Sequence, residues 1–194
     1  MKKFKIVFIG AEESGKTTFI NYIKEELEKE GKKVSILLMG WKNFINPFLR
    51  IFSKMYLKNK KGSASRRIIE HKKRSFLFFM IYYSELWLRY MKALLSKNNI
   101  ILIDRYFYDE LAFANGIKFK IFKLITPEPD LCIIMVAPVS VMRKRGLLVN
   151  KKDFYGFYER LKRVAKLGNL IYINSSKNLK NNYFILRNAI SKFI

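Results

Sequence analysis

Gly10-Ala11-Glu12-Glu13-Ser14-Gly15-Lys16-Thr17-Thr18 fits the pattern GxxxxGK[ST], and its flanks decide how it is read. FKIVFI at 4–9 is an apolar, β-branched run of the kind that forms a strand buried on both faces. After the loop, apolar residues recur at helical spacing from Phe19 to Leu27. Strand, glycine loop and helix therefore follow in order. Glycines let the backbone curl so that successive N–H groups surround a di- or triphosphate, and the helix N-terminus adds partial positive charge. In that setting Lys16 neutralises the outer phosphates and the Thr17 hydroxyl joins a magnesium shell. The stretch reads as a nucleoside triphosphate site.

The rest of the chain repeats the alternation. VSILL at 34–38, IILI at 100–103, LCIIMV at 131–136 and LIYIN at 170–174 read as further buried strands. Helical patterns lie between them: one that Gly31 ends, one begun by Pro47, one over 65–97 broken near Ser84, and others over 154–167 and 179–194. Alternating strands and helices without hairpins predict a doubly wound parallel sheet. Ligands of such sheets bind beyond the carboxyl ends of the strands, so Asp104 and Arg105 should reach the same crevice as Lys16. An aspartate there can hold magnesium or orient an attacking oxygen, and an arginine can grip phosphate with its planar fork.

At 194 residues the chain suits one domain, with basic insertion near 58–74 and a short stretch at 146–152 as its most irregular parts. The single cysteine, Cys132, sits in an apolar run and reads as a small buried hydrophobe in a reducing compartment. The apolar start is too short for a signal-peptide core, and FLFFMIYY at 76–83 gives way to Glu85 and Arg89 well before it could span a membrane. A buried helix and a cytoplasmic location are the expectations. His71, alone in a basic cluster, receives no role. The formal net charge is +24, more than phosphate handling requires. No aromatic-basic motif accompanies the lysines, so we read a compositional bias on a solvated surface rather than a nucleic-acid or anionic-membrane site.

With these residues in view, the chain resembles the thymidylate kinases, a family of P-loop nucleoside monophosphate kinases. The likeness runs nearly end to end. It rests on the glycine loop, Asp104-Arg105-Tyr106 followed by Leu111-Ala112, Pro129-Asp130-Leu131 opening a strand, Pro138, Arg145, and 157–160 before the last strand. The resemblance implies the three-layer α/β fold of P-loop NTPases: a five-stranded parallel sheet, helices on both faces, the loop strand at the centre. It implies an enzyme that uses ATP and magnesium to phosphorylate a nucleoside monophosphate, dTMP or similar, and that forms a homodimer.

By resemblance, ATP is held by Gly10, Glu13, Ser14, Gly15, Lys16, Thr17, Thr18 and Arg143, and metal by Thr17 and Asp104. Catalysis falls to Lys16, Asp104, Arg105 and Arg145, and the anionic acceptor to Arg50, Arg105, Tyr106 and Phe113. Arg145 precedes a short lid. The acceptor half departs from the family pattern. Leu38-Met39-Gly40 replaces Arg-Glu-Pro, Tyr82-Tyr83-Ser84-Glu85 stands where a base-reading arginine is usual, and Asp109-Glu110 and Ala112-Phe113-Ala114 replace Ser-Ser and Ala-Tyr-Gln. Glu13 occupies the loop position that carries an arginine in some members, leaving Arg143, Arg145, Lys151 or Lys152 to meet transition-state charge. Weak or broad selectivity among monophosphates follows, with unphosphorylated nucleosides rejected. Two rival readings remain: a kinase for another small phosphorylated acceptor, and a nucleotide-binding module without transfer that uses its basic surface on polyanions.

Overall fold

A computed structural model describes residues 3–40, 44–51, 76–146, 151–165 and 169–191. Five parallel strands form one sheet: β1 (Phe4–Ile9), β2 (Val34–Leu38), β3 (Ile100–Asp104), β4 (Leu131–Val136) and β5 (Leu170–Asn174). Their spatial order is β2-β3-β1-β4-β5, which puts the strand that feeds the glycine loop at the centre. The helices are α1 (Lys16–Lys29), α2 (Phe76–Leu94), α3 (Phe107–Leu111), α4 (Gly116–Ile125), α5 (Val139–Lys144), α6 (Lys151–Ala165) and α7 (Leu179–Ile190).

The two-residue period of a strand sorts the core into two layers. Val7, Ile9, Ile101, Ile103, Cys132 and Ile134 point to one face, where residues of α2, α3, α5 and α6 bury against them. Ile6, Phe8, Leu102, Ile133 and Met135 point to the other, against α1 and α7. Central strands covered on both sides need apolar residues at every position, which is why β1, β3 and β4 read so plainly in sequence. Register does the rest. Phe8 pairs with Asp104 and Ile9 with Ile134, so the loop after β1 and the turn after β3 leave the sheet side by side.

Three expectations need correction. Helix α2 runs unbroken through Ser84, whose Oγ donates to the Ile81 carbonyl at 2.8 Å and so finds its partner inside the helix. Nor is its apolar start a fully buried helix: Phe79, Tyr82 and Tyr83 are buried, while Phe76, Leu77 and Met80 are exposed. The helix after the presumed lid begins at Lys151, earlier than the pattern suggested. Helices α3 and α4 went unread, because short helices carry little periodicity. The 58–74 insertion, His71, most of the stretch 146–152 and the end of the closing helix lie outside the described residues. Among the described residues no helix is long and apolar enough to cross a membrane.

Candidate active site

The glycine loop closes on itself around Lys16. Gly10 takes φ 143°, and a Cβ there would lie 2.5 Å from the Met135 carbonyl oxygen, so only glycine lets the loop pass this close to β4. Glu13, at φ 59°, is a left-handed non-glycine residue, and Gly15, at φ 82°, turns the chain into α1. Strain of this kind persists where the surroundings over-determine it, commonly at ligand sites. Tyr158 of α6 is one such support: its hydroxyl donates to the Met135 carbonyl at 2.7 Å and accepts from Ala11 N–H at 3.4 Å. Lys16 is buried, donating to the carbonyls of Gly10 at 2.9 Å and Ala11 at 2.5 Å and to Ser14 Oγ at 3.2 Å. Burial first, and the Arg105 charge second, push its pKa down to about 8.

The facing wall comes from the end of β3. Asp104 Oδ2 accepts from Thr17 Oγ1 at 3.0 Å. Its Oδ1 is buried with no hydrogen-bond partner among the described residues. A hydroxyl and a carboxylate with an unspent oxygen are hard ligands, the donor type that magnesium prefers. These two side chains therefore fit the cation that the resemblance implies. No cluster of three or more His, Cys, Asp or Glu occurs among the described residues.

Arg105 follows at φ 67°, left-handed again, with its Nη2 3.1 Å from Glu12 Oε1. Burial opposes its charge, but the carboxylates of Asp109, Glu12 and Asp104 outweigh that and raise its pKa above the ordinary value. Asp109 is itself pushed up by burial, against the pull of Arg105 and the Tyr106 N–H. Its Oδ2 accepts that N–H at 2.9 Å, capping α3. Lys16, Thr17, Asp104 and Arg105 all line one cleft of about 880 Å³, with Glu12, Gly40 and Arg89 further along it.

A family model for thymidylate kinase matches residues 8–185, almost the whole chain. The chain belongs to the thymidylate kinase family. It is 26% identical over 172 residues to a probable thymidylate kinase 1 of Saccharolobus solfataricus, covering 84% of this chain and 78% of that protein. Among solved structures it resembles the thymidylate kinase of Candida albicans, described for its broad substrate specificity, at TM-score 0.60 and 13% identity, over 98% of this chain and 92% of that one. The Ehrlichia chaffeensis thymidylate kinase superposes at TM-score 0.59 and 17% identity, over 98% and 99% of the two chains. Both likenesses establish the P-loop NTPase architecture. This thymidylate kinase relative is accordingly a nucleoside monophosphate kinase.

The structure brings Lys16, Thr17, Asp104 and Arg105 together on one cleft and places Tyr106, Phe113, Arg50 and Arg143 away from its lining. Tyr106 is 1% exposed, and its hydroxyl donates to the Pro127 carbonyl at 2.7 Å, so it braces the core instead of lining the cleft. Phe113 stacks on Phe157 at 5.6 Å and carries the Arg160 guanidinium 5.2 Å from its ring, away from the cleft. Neither is placed to touch an acceptor there. Arg50 is exposed on a helical stretch at 47–51 and is not among the cleft's lining residues. Arg143 stands exposed on the last turn of α5.

Arg145 lies against the loop itself, with Nη1 3.3 Å from the Glu13 carbonyl and 3.4 Å from Ser175 Oγ. The side chains of Lys151 and Lys152 lie outside the described residues. Sequence reading missed Glu12, which lines the cleft as the ion-pair partner of Arg105, and the pair Glu85 and Arg89, of which Arg89 lines the cleft and Glu85 is buried behind it. The last two carried a signal, since opposite charges four apart inside an otherwise apolar helix mark a buried ion pair.

Proposed function

We propose that this kinase transfers the γ-phosphate of ATP to a nucleoside monophosphate, dTMP or a close analogue. The observation that carries the reading is the convergence of Lys16, Thr17, Asp104 and Arg105 on one cleft beyond the strand ends. Donor phosphates sit on the loop N–H groups at the start of α1, and Lys16 exchanges its carbonyl partners for phosphate oxygens. Arg105, steered by Glu12, holds the acceptor phosphate in line. An acceptor oxygen then forms its bond to the γ-phosphorus as the bond to the bridging oxygen breaks and ADP leaves. A phosphate monoester is already ionised, so no general base is required. Thr17 and Asp104 are the residues that would hold magnesium, which when bound offsets charge on the donor phosphates.

Arg145 is the cation proposed to compensate for Glu13. Arg145→Ala should lower kcat by about tenfold or more while changing the KM for ATP by less, because an exposed arginine on the loop rim meets charge chiefly as it develops. Steady-state kinetics at varied ATP give the split, and a rise in KM with unchanged kcat would reduce Arg145 to a docking contact.

The dimer that the resemblance implies is also part of this reading. Leu77, Met80, Leu88 and Met91 of α2 and Leu124 of α4 are exposed apolar residues, a face suited to a second copy of the chain. The test of the reaction is an ADP-release assay with ATP and magnesium against nucleoside monophosphates, nucleosides and sugar phosphates. Release should require a nucleoside monophosphate, and thymidine as the best acceptor would remove the proposed role of Arg105.

A further inference from the structure

Helix α4, which the cleft does not use, turns the amphipathic pattern outward. Its inner side is anchored by Phe122, 1% exposed, whose ring centre lies 4.5 Å from those of Phe79 and Tyr83 on α2. At about 100° per residue, Ile117, Ile121 and Leu124 fall together on the side turned away from Phe122. They are 73%, 42% and 87% exposed, where a surface helix ordinarily carries polar residues. Lys120 and Lys123 border this apolar stripe on one side and Lys118 on the other, and no acidic residue lies anywhere in the helix. Lys118 Nζ lies 5.7 Å from the ring of Phe76, so that half-exposed aromatic carries the apolar surface past the lysine onto α2.

We propose that α4 docks the protein on a bilayer surface that bears anionic lipid headgroups. Ile117, Ile121 and Leu124 enter the boundary between headgroups and acyl chains, while Lys118, Lys120 and Lys123 reach the lipid phosphates. Lysine suits this task, because its stem lies along apolar surface while its ammonium stays with the charged groups. Charge complementarity chooses the occupant. A nucleic acid would pair the lysines but set its phosphates against the apolar stripe. A second copy seated on α4 would bring these lysines against the same lysines, with no carboxylate in the helix to answer them. A second copy seated on α2 leaves this stripe free. The helix lies on the bilayer and does not cross it: its ten residues extend about 15 Å, half the hydrocarbon thickness. Docking is therefore reversible and needs the apolar and the basic contribution together.

Sedimentation with phosphatidylcholine vesicles, with and without phosphatidylglycerol, at about 0.15 M salt tests this without nucleotide present. The full chain should bind the anionic vesicles at least about tenfold more tightly than the neutral ones. Three variants locate the contact. Ile117→Ser with Leu124→Ser changes the two most exposed residues of the stripe, leaves the core untouched, and should weaken binding by at least about tenfold. Lys118→Gln with Lys120→Gln and Lys123→Gln should weaken it by roughly 100-fold. Lys32→Gln with Lys33→Gln and Lys180→Gln removes the same charge from exposed positions elsewhere and should stay within about threefold of the parent. Losses confined to the two α4 variants, at parental thermal midpoint and molecular mass, sustain the proposal. Equal losses in the two lysine variants would place the attraction on the whole +24 surface and overturn it. A serine variant that binds as the parent does overturns it too, since charge alone would then be read, as by a nucleic acid. So does a serine variant whose mass in the ultracentrifuge falls by half, which makes the stripe a contact between copies. A parent that ignores anionic vesicles overturns it outright, and none of these results bears on the transfer reaction.

Discussion

Lys16→Met should leave phosphoryl transfer at least roughly 100-fold below the parent rate at saturating substrate, because it deletes the cation that meets charge on the donor phosphates. Methionine is chosen because the side chain is 6% exposed, so an alanine would open a cavity beneath the loop. From sequence this lysine is expected to be exposed and dispensable for folding. The structure corrects that: Lys16 holds the loop closed through Gly10, Ala11 and Ser14. The thermal midpoint of the variant must therefore be measured beside its rate, and only a folded variant with parental turnover would remove Lys16 from the mechanism.

The same residue predicts a pH signature. A lysine whose pKa falls from 10.5 to about 8 on folding binds fewer protons folded than unfolded between those values. The cost of burying its charge, on the order of 3 kcal/mol, is present in full below pH 8 and is relieved as pH rises from 8 toward 10.5. In that window the parent should gain stability from this group and Lys16→Met should not, which urea midpoints at two pH values would show. Nucleotide phosphates hold the lysine charged, so ATP binding at pH 8 should take up about half a proton in the parent. Calorimetry in two buffers of different ionisation enthalpy measures that uptake, and it should vanish in the variant.

What could be read from the chain in advance follows from how local the information is. Strands β1, β3 and β4 are covered on both faces, so each carries a nearly unbroken run of β-branched and other apolar residues, short enough and bounded clearly enough to read as a strand. The glycine loop is nine consecutive residues between a strand and a helix, and its chemistry does not depend on distant contacts. Asp104 and Arg105 were placed by a rule about strand ends, and the β1–β3 register puts them beside the loop. The acceptor half has no such support. Tyr106 and Phe113 are aromatic residues close behind Asp104 and Arg105 in sequence, but their orientation is set by Pro127 and Phe157, which lie 21 and 44 positions further along the chain. Glu85 and Arg89 looked like charges interrupting an apolar run. Their partners, the backbone groups of Leu38, Gly40, Ile45 and Asn46, come from another part of the fold and cannot be inferred from helix spacing.

Asp104→Asn should separate the carboxylate's charge from its shape. Asparagine keeps the side-chain volume, and its carbonyl oxygen can still accept from Thr17 Oγ1, which lies 3.0 Å from Oδ2 in the parent. Oδ1, buried without a partner among the described residues, becomes either a neutral oxygen or an NH2 group. Neither matches an anionic oxygen as a ligand for a hard cation. Turnover in saturating magnesium should therefore fall by roughly 100-fold, and the magnesium concentration for half-maximal rate should rise. ATP affinity should change in opposite directions with and without the metal. In chelator, the variant lacks a negative charge beside the phosphates and should bind ATP more tightly than the parent. In magnesium, it loses a ligand and should bind more weakly. The Asp104 charge also supports the protonated form of Lys16, so in the variant the lysine pKa should fall further and the proton uptake on ATP binding at pH 8 should grow. A helix-capping or packing role for Asp104 predicts no loss of ATP affinity specific to magnesium, because the tighter binding in chelator and the lower lysine pKa follow from the lost charge alone. Equal ATP affinity in parent and variant under both conditions, with turnover within about twofold, would leave the aspartate as scaffold and require another residue to hold the metal.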